Sequence, residues 1–238
     1  MFSPMQRHIQ KVRDEQNKKA IKEKLDNGEA KPIASSSNDY GEFEVIKASA
    51  EQDNAVIGNT PKEDRDTVRA SLIKRYMGHI ESYLSGGEVF ANPVLVYVII
   101  WLFDLKRMGE ALKLAFIAIE QEQKLVGFKR NLSTWVADTV CDWAESEHKA
   151  GRTVEPYFTQ VFEMMGKWPV PNVVVMKYNK MAGVIAFDKE DFETAIKYFE
   201  AAQALQDGKI KAQVGTKLDK AKKKLKALAE VKEVKTES

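Results

Sequence analysis

Cysteine and histidine are scarce in this sequence of 238 residues. The one cysteine, Cys141, cannot form a disulfide within the chain and cannot build a zinc site from several thiolates. A chain without a disulfide framework fits a reducing compartment. The histidines, His8, His79 and His148, leave few candidates for imidazole chemistry.

Long apolar runs are also missing. The longest covers residues 94–103, whereas a membrane-spanning helix needs about 20 apolar residues. Residues 1–8 lack the apolar stretch of a secretory signal. We therefore expect a soluble, intracellular protein. The content of 44% apolar and 9% aromatic residues excludes a wholly disordered or collagen-like chain.

The net charge is only +2, because 37 Lys and Arg stand against 35 Asp and Glu. The charges are nevertheless segregated: residues 1–31 carry +3, residues 32–208 carry −7 and residues 209–238 carry +6. Basic ends on an acidic body suit a polyanion such as nucleic acid, because each neutralised phosphate releases a counterion. The alternative is that lysine-rich ends only keep the protein in solution.

The two basic ends differ in their side-chain chemistry. Residues 209–238 contain ten Lys but neither Arg nor an aromatic residue, which suits contacts with phosphate rather than with bases. Arg and Gln can form bidentate hydrogen bonds with base edges, and the N-terminal end contains both. The better candidates for reading a sequence are therefore in the N-terminal segment, namely Gln6, Arg7, His8, Gln10, Lys11, Arg13 and Asn17.

Helical patterns run through most of the chain and predict an all-α fold of stacked helical hairpins. Thr60, Pro61 and Glu63 predict a helix start with a capping box, and Ser133 is predicted to cap a later helix. Residues 94–103 could form a buried strand, but helical neighbours favour a buried helix. The predicted parts are a basic N-terminal helix at 1–31, a linker at 32–60, a helical-hairpin core at 61–208, and a basic C-terminal helix and tail at 209–238.

Residues 178–205 resemble a tetratricopeptide-like hairpin. Small and aromatic residues occupy the positions at which two antiparallel helices approach each other, namely Gly183, Ala186, Ala195, Phe199 and Ala202. A weaker version is predicted at residues 95–119, with Ala111, Ala115 and Ala118 on its second helix. Helical hairpins imply binding or packing and no particular chemistry.

The C-terminal helix carries apolar residues at alternating spacings of four and three, namely Val214, Leu218, Ala221, Leu225 and Leu228. One interpretation is a coiled-coil seam, in which Val214, Leu218, Leu225 and Leu228 contact another copy or a partner. The other interpretation is a last helix that covers the open face of the preceding hairpin.

Motifs for catalysis are not evident. The sequence contains no phosphate-binding loop of the Walker type and no recognisable nucleophile triad. Glu145 and His148 have the spacing of a carboxylate metal site, but a di-metal site would need a second such pair. The sequence therefore predicts no catalytic residues, no metal and no cofactor, and a metal nuclease requires acids that are distant in sequence to converge.

Several short motifs, in this order, resemble the small terminase subunits of temperate, contractile-tailed bacteriophages of the peduovirus type. The first is the opening Ser3-Pro4-Met5-Gln6-Arg7-His8. The others are Trp101-Leu102-Phe103-Asp104 followed by Gly109-Glu110-Ala111-Leu112, then Phe128-Lys129-Arg130 followed by Trp135-Val136-Ala137-Asp138, and a late alanine-rich hairpin at 191–205 before a basic tail.

The resemblance implies a subunit that binds viral duplex DNA as an oligomer in the cytoplasm of the infected host. It implies delivery of that DNA to a large subunit with the ATPase and nuclease, although members are sometimes labelled endonuclease subunits. We expect specific contacts from Gln6, Arg7 and His8. Support is expected from other basic side chains, namely Lys11, Arg13, Lys129, Arg130, Lys222, Lys223 and Lys224. The alternatives are a tetratricopeptide-like protein-binding adaptor and a metal-dependent endonuclease.

Overall fold

The computed structural model describes residues 37–127, 129–207 and 209–236. These residues form nine α-helices and no β-strand, which confirms the all-α class. The predicted helix at residues 1–31 lies outside them. The helices are α1 Ser37–Asn59, α2 Arg65–Ser85, α3 Pro93–Asp104, α4 Met108–Glu120, α5 Leu132–Lys149, α6 Tyr157–Phe162, α7 Asn172–Asp188, α8 Phe192–Ala204 and α9 Gly215–Thr236.

The chain divides into two compact units between Gly127 and Phe128. The first unit contains α1 to α4 and the second contains α5 to α9. The sequence-based division treated residues 61–208 as a single core, and the structure distributes that segment over both units.

Helix α3 is the centre of the first unit. Nine of its twelve residues are buried, and α1, α2 and α4 all contact it. The Asn92 side chain caps it by accepting a hydrogen bond from the Leu95 N–H at 3.1 Å, and Pro93 occupies the start of the helix. The prediction of a buried helix at residues 94–103 is confirmed. Hydrogen bonds within the helix satisfy the backbone polar groups of its middle, and the Asn92 cap satisfies one at its start.

Helix α1 corrects the sequence-based linker at residues 32–60. Its buried residues Phe43, Ala50 and Ile57 recur every seventh position, which places them on one side of a helix. That side packs against α2 and α3. The Asn54 side chain accepts a hydrogen bond from the Trp101 indole N–H at 3.0 Å, and Asp53 accepts one from the Tyr76 hydroxyl at 2.6 Å. These polar contacts fix the register of α1, although its apolar pattern is sparse.

The predicted capping box at Thr60 is wrong. Helix α2 begins at Arg65, and the Thr60 hydroxyl instead donates to the carbonyl of Val56 at 2.9 Å. The Arg65 guanidinium donates to the carbonyls of Thr60 and Gly58 at 2.9 and 3.0 Å. Thr60 therefore satisfies the C-terminal end of α1 rather than the start of α2.

The predicted cap at Ser133 is also wrong, by two residues. The Asn131 side chain accepts from the Thr134 N–H at 2.8 Å and begins α5, while Ser133 lies inside the helix and donates to Asn131 at 3.1 Å. Helix α7 packs against α5. The buried Tyr178 hydroxyl donates to the Ala137 carbonyl at 2.9 Å, and the Tyr178 ring stacks on Phe158 of the short helix α6.

Helices α7 and α8 form the hairpin predicted at residues 178–205. Asp191 caps α8 by accepting from the Thr194 N–H at 3.1 Å. A Cβ atom at Gly183 would lie 2.6 Å from the Phe199 ring, so the absence of a side chain at Gly183 makes room for a fully buried phenylalanine. Helix α9 packs on α8 and closes the apolar cluster of this unit.

Candidate nucleic-acid interface

The predicted base-reading residues lie outside the described part of the chain. Gln6, Arg7, His8, Lys11 and Arg13 all precede residue 37. Their contact with DNA stays a prediction. The geometry of the site is therefore built from α9 and from the turn before α5.

Helix α9 separates its apolar residues from its lysines. Leu218 and Ala221 are buried in the cluster of the second unit, at 5% and 0% exposure. The side chains of Lys220, Lys223 and Lys224 are exposed. Since residues three and four apart share a helix face, these three lysines form one basic face directed away from the core. We call it the lysine face of α9.

The predicted Lys222 has a different environment. Its Nζ lies 2.7 Å from Glu200 Oε1 of α8, and both side chains are about half exposed. The ion pair ties the basic helix to the hairpin, so Lys222 is partly engaged within the chain. Lys220 was not among the sequence-predicted residues. Its spacing of three and four from Lys223 and Lys224 is the signal by which it could have been found.

The basic turn before α5 is held by an acid of that helix. Arg130 Nη1 lies 2.8 Å from Asp138 Oδ2, and Lys177 Nζ of α7 lies 2.8 Å from Asp138 Oδ1. The hydrogen bond that Lys177 donates to Asp138 raises the pKa of Lys177 above its ordinary value. Asp138 therefore joins the turn, α5 and α7, whereas Lys129 is exposed and points its charge to solvent. The structure brings neither residue together with the lysine face of α9 in a described contact.

The apolar residues of the predicted coiled-coil seam lie mostly inside the chain. Val214 and Leu218 are 2% and 5% exposed in the cluster with α8, and Leu225 packs partly against the same cluster. Leu228 is 46% exposed. The geometry matches the interpretation in which the last helix covers the hairpin, and it leaves Leu228 as the member of the four that a second molecule can reach.

Glu145 and His148, the residues with metal-site spacing, have separate partners. Lys149 Nζ lies 2.7 Å from Glu145 Oε1 and its hydrogen bond lowers the pKa of Glu145. His148 Nε2 lies 2.7 Å from Asp188 Oδ2 on α7. Within residues 37–127, 129–207 and 209–236, no group of three or more His, Cys, Asp or Glu side chains is arranged to hold a metal ion.

The acids at the turn between α7 and α8 have structural roles. Asp191 is the cap of α8, and the hydrogen bonds from Thr194 lower its pKa. Glu190 adopts a left-handed backbone conformation with φ of 61° in the turn.

Among the described helices, none combines the length and the apolar content that a membrane crossing requires.

The comparisons with known proteins agree on one family. The family model of the phage small terminase subunit matches residues 50–173, which is just over half of the chain. A protein of Haemophilus phage HP1 described as "Probable terminase, endonuclease subunit" is 34% identical over 156 residues, covering 64% of this chain and 55% of that protein. The matched part thus spans little more than half the length of this relative. No solved structure matches the chain significantly. Since the family model covers more than half of the sequence, this chain belongs to the family of phage small terminase subunits.

Proposed function

We propose that the protein binds viral duplex DNA as a homo-oligomer and delivers it to a large terminase subunit for packaging in the cytoplasm of the infected host. The observation that carries the proposal is the family match over residues 50–173, which supports a role in packaging phage DNA. ATP hydrolysis and cleavage are assigned to the large subunit.

The charges of α9 support DNA contact through phosphates. The lysine face of α9 consists of the exposed Lys220, Lys223 and Lys224. Residues 209–230 contain neither Arg nor an aromatic residue. Lysine ammonium groups attract phosphate as point charges and do not read base edges. This face would hold DNA without regard to sequence.

Sequence preference is assigned to the N-terminal segment. Gln6, Arg7 and His8 include the residue types that form bidentate bonds with bases. Lys11, Arg13 and Lys129 would add phosphate contacts. Because Arg130 is bound to Asp138, we expect it to orient the turn and to make the smaller contribution to DNA affinity.

The two kinds of contact can be separated by filter binding to cognate and random duplex DNA. Arg7→Ala should reduce the ratio of cognate to random affinity, whereas Lys220→Ala/Lys223→Ala/Lys224→Ala should weaken both affinities alike. The control is Lys189→Ala/Lys197→Ala, which removes exposed charges outside the proposed interface and should leave the affinities unchanged. Equal loss in all variants would contradict the assignment.

The oligomer is tested by the native mass of the protein with and without DNA. We expect a mass of several subunits. Leu228→Asp should reduce the mass if the exposed end of α9 contributes to self-association, since Leu228 is 46% exposed. A monomer under all conditions would overturn the oligomeric part of the proposal.

A second candidate function is intrinsic DNA cleavage, which the description of the Haemophilus phage relative as an endonuclease subunit favours. The test is incubation of the purified protein with plasmid and Mg²⁺ or Mn²⁺. We expect intact supercoiled plasmid. Nicking that follows the protein peak through purification would assign the nuclease to this chain.

A further inference from the structure

A groove of about 670 Å³ lies between α5 and α7 in the second unit, with Lys217 at the start of α9 on its border. It is separate from the basic turn before α5, and Lys217 on its border lies three residues before Lys220 of the lysine face of α9. Its borders are contributed by three helices that the apolar cluster and the Tyr178 hydrogen bond hold together.

The floor of the groove is apolar. Cys141 and Met181 are each 6% exposed, and Val184 is partly buried beside them. Burial raises the pKa of Cys141 to about 12, so the thiol is neutral and behaves as a small apolar group. A flexible methionine at the floor can adjust to side chains of different shapes.

Most charges of the rim already have partners. Lys149 is paired with Glu145, His148 with Asp188, and Lys177 with Asp138. Two further lysines line the groove, Lys180 and Lys217, and neither has a carboxylate within 4.0 Å among the described residues. Asp142 is the remaining acid of the lining. Lys180 also acts electrostatically on Glu145 and helps to lower its pKa, so the four lysines and three acids of the lining leave a small excess of positive charge over an apolar floor.

This combination favours a protein segment over DNA. The apolar floor decides between them, because DNA has no apolar side chains to fill it, whereas the acids of the lining, Asp142, Glu145 and Asp188, would repel phosphate and carboxylate alike. An amphipathic helix fits both features, because its apolar side chains enter the groove while acids beside them meet the lysines.

We infer that the groove between α5 and α7 binds an amphipathic, acidic segment of a partner protein, with Lys180 and Lys217 pairing with its carboxylates. The identification of that partner as the large terminase subunit rests on the proposed function, whereas the binding of an acidic amphipathic segment does not.

The first experiment is a selection from a displayed library of helical 16-residue peptides. The library has apolar residues at helical spacing and free choice of Asp, Glu, Lys, Arg or Ser beside them, and the full chain is the bait. We expect selected peptides to be rich in Asp and Glu at the free positions. A selection that yields no binder, or basic binders, overturns the inference.

The second experiment measures the affinity of the best selected peptide by fluorescence polarisation. Lys180→Glu/Lys217→Glu should weaken binding at least about tenfold, because it places acids against acids. Lys189→Glu/Lys197→Glu makes the same change in net charge away from the groove and should change affinity less than about twofold. Equal loss in both variants would overturn the inference.

The single cysteine provides a local reading of occupancy, because any thiol modification reports on Cys141 alone. The raised pKa makes modification of Cys141 by a methanethiosulfonate reagent slow, so the rate is followed at alkaline pH, and the selected peptide should lower it severalfold. An unchanged rate would place the peptide elsewhere and overturn the inference.

Competition with a 20-base-pair duplex distinguishes the groove from the DNA interface. We expect the duplex to leave the peptide bound, and displacement would assign the groove to DNA. If the chain binds the acidic peptide but no DNA, the proposed function fails and the groove stands. If it binds DNA but the selection fails, the groove inference alone is overturned.

Discussion

The hairpins α3–α4 and α7–α8 turn with the same backbone geometry. Lys106 and Glu190 adopt left-handed conformations with φ of 56° and 61° in the two turns. The N–H that precedes the second helix donates five residues back in both, from Arg107 to Leu102 at 2.9 Å and from Asp191 to Ala186 at 3.0 Å. Both second helices are 13 residues long. The two units therefore contain closely similar hairpins, 84 positions apart in the chain.

Each hairpin has one large and one small side chain at a corresponding pair of buried positions, but on opposite helices. In the second unit Gly183 on the first helix faces Phe199 on the second. The corresponding residues of the first unit are Ile99 and Ala115, both at 0% exposure. The large side chain comes from the second helix in one hairpin and from the first helix in the other. The comparison teaches that close packing of two α-helices constrains the combined volume of the two facing side chains rather than the identity of either residue.

The surroundings of the hairpins differ as well. In the first unit a buried Gln123 joins the loop before α3 to the core: it accepts from the Asn92 N–H at 2.7 Å and donates to the Phe90 carbonyl at 2.7 Å. In the second unit the hairpin is covered by α9 through an apolar cluster. A buried polar side chain therefore holds the surroundings of the first hairpin, and an apolar cluster holds those of the second.

The largest effect is expected from Ala115→Phe, which adds a ring where Ile99 already supplies the bulk. Overpacking of this kind should lower the free energy of unfolding by about 3 kcal/mol. Ile99→Gly combined with Ala115→Phe should cost less than the sum of the single changes by about 1 kcal/mol or more. Urea unfolding of the four proteins gives the comparison, and additive losses would contradict the proposed correspondence of the hairpins.

A smaller effect is expected from Gln123→Met, which keeps the size of the side chain. It leaves the buried Asn92 N–H without its acceptor and should cost about 2 kcal/mol in urea unfolding. Gln121→Met is the matched control, because Gln121 bonds the Tyr83 hydroxyl at the surface side of the same network. We expect that change to cost less than about 1 kcal/mol. If Gln121→Met lowered the free energy of unfolding more than Gln123→Met, the buried bonds of Gln123 would not be the main polar contribution to this network.

Two glycine substitutions should have opposite signs. Gly183→Ala places a Cβ against the buried Phe199 ring and should destabilise the protein by about 1 to 2 kcal/mol, despite the better helix propensity of Ala. Gly78→Ala in α2 meets nothing within 4 Å and should stabilise it by about 0.5 to 1 kcal/mol. Thermal unfolding with amide hydrogen exchange would locate each change, and stabilisation by both would show that Phe199 can move aside.

The smallest effect concerns pH. Burial lowers the pKa of His79 below its ordinary value of 6.5, and nearby Glu42 opposes that shift. The unfolded chain then takes up the proton more readily than the folded one, so the free energy of unfolding falls as pH drops below about 6.5. Urea midpoints between pH 7.5 and 5.5 measure this slope. His79→Gln should flatten it, and an unchanged slope would assign the pH dependence to other groups.

Local patterns explain which parts of the fold could be predicted. The α7–α8 hairpin is evident from the sequence, because apolar spacing and small residues lie within a few positions of each other. The apolar run of α3 is also compatible with a buried strand, and its helical neighbours favour the helix. The sequence indicates no more than a short helical patch within the linker at 32–60, because the buried residues of α1 are few and its contacts with Tyr76 and Trp101 come from distant positions. The Thr60 error has a local origin, since a hydroxyl before a proline can serve either of two adjacent helices.

The candidate sites follow the same rule. The lysines of α9 were predictable from charge alone, but the pairing of Lys222 with Glu200 and of Arg130 with Asp138 required the packing of helices. The groove could not be predicted from the sequence, because Cys141, Lys180 and Lys217 come from three different helices. Short runs of basic residues predict where a surface is positively charged, and only the tertiary structure shows which of these charges remain unpaired.

The most direct test of the account is the affinity of the full chain for duplex DNA across a series of salt concentrations. If about six phosphates are neutralised, the logarithm of the association constant should fall with a slope of about −5 against the logarithm of salt concentration. Removing three charges by Lys220→Ala/Lys223→Ala/Lys224→Ala should make the slope shallower by about 2 to 3. A slope near zero in the unaltered protein would contradict the claim that its basic segments hold DNA.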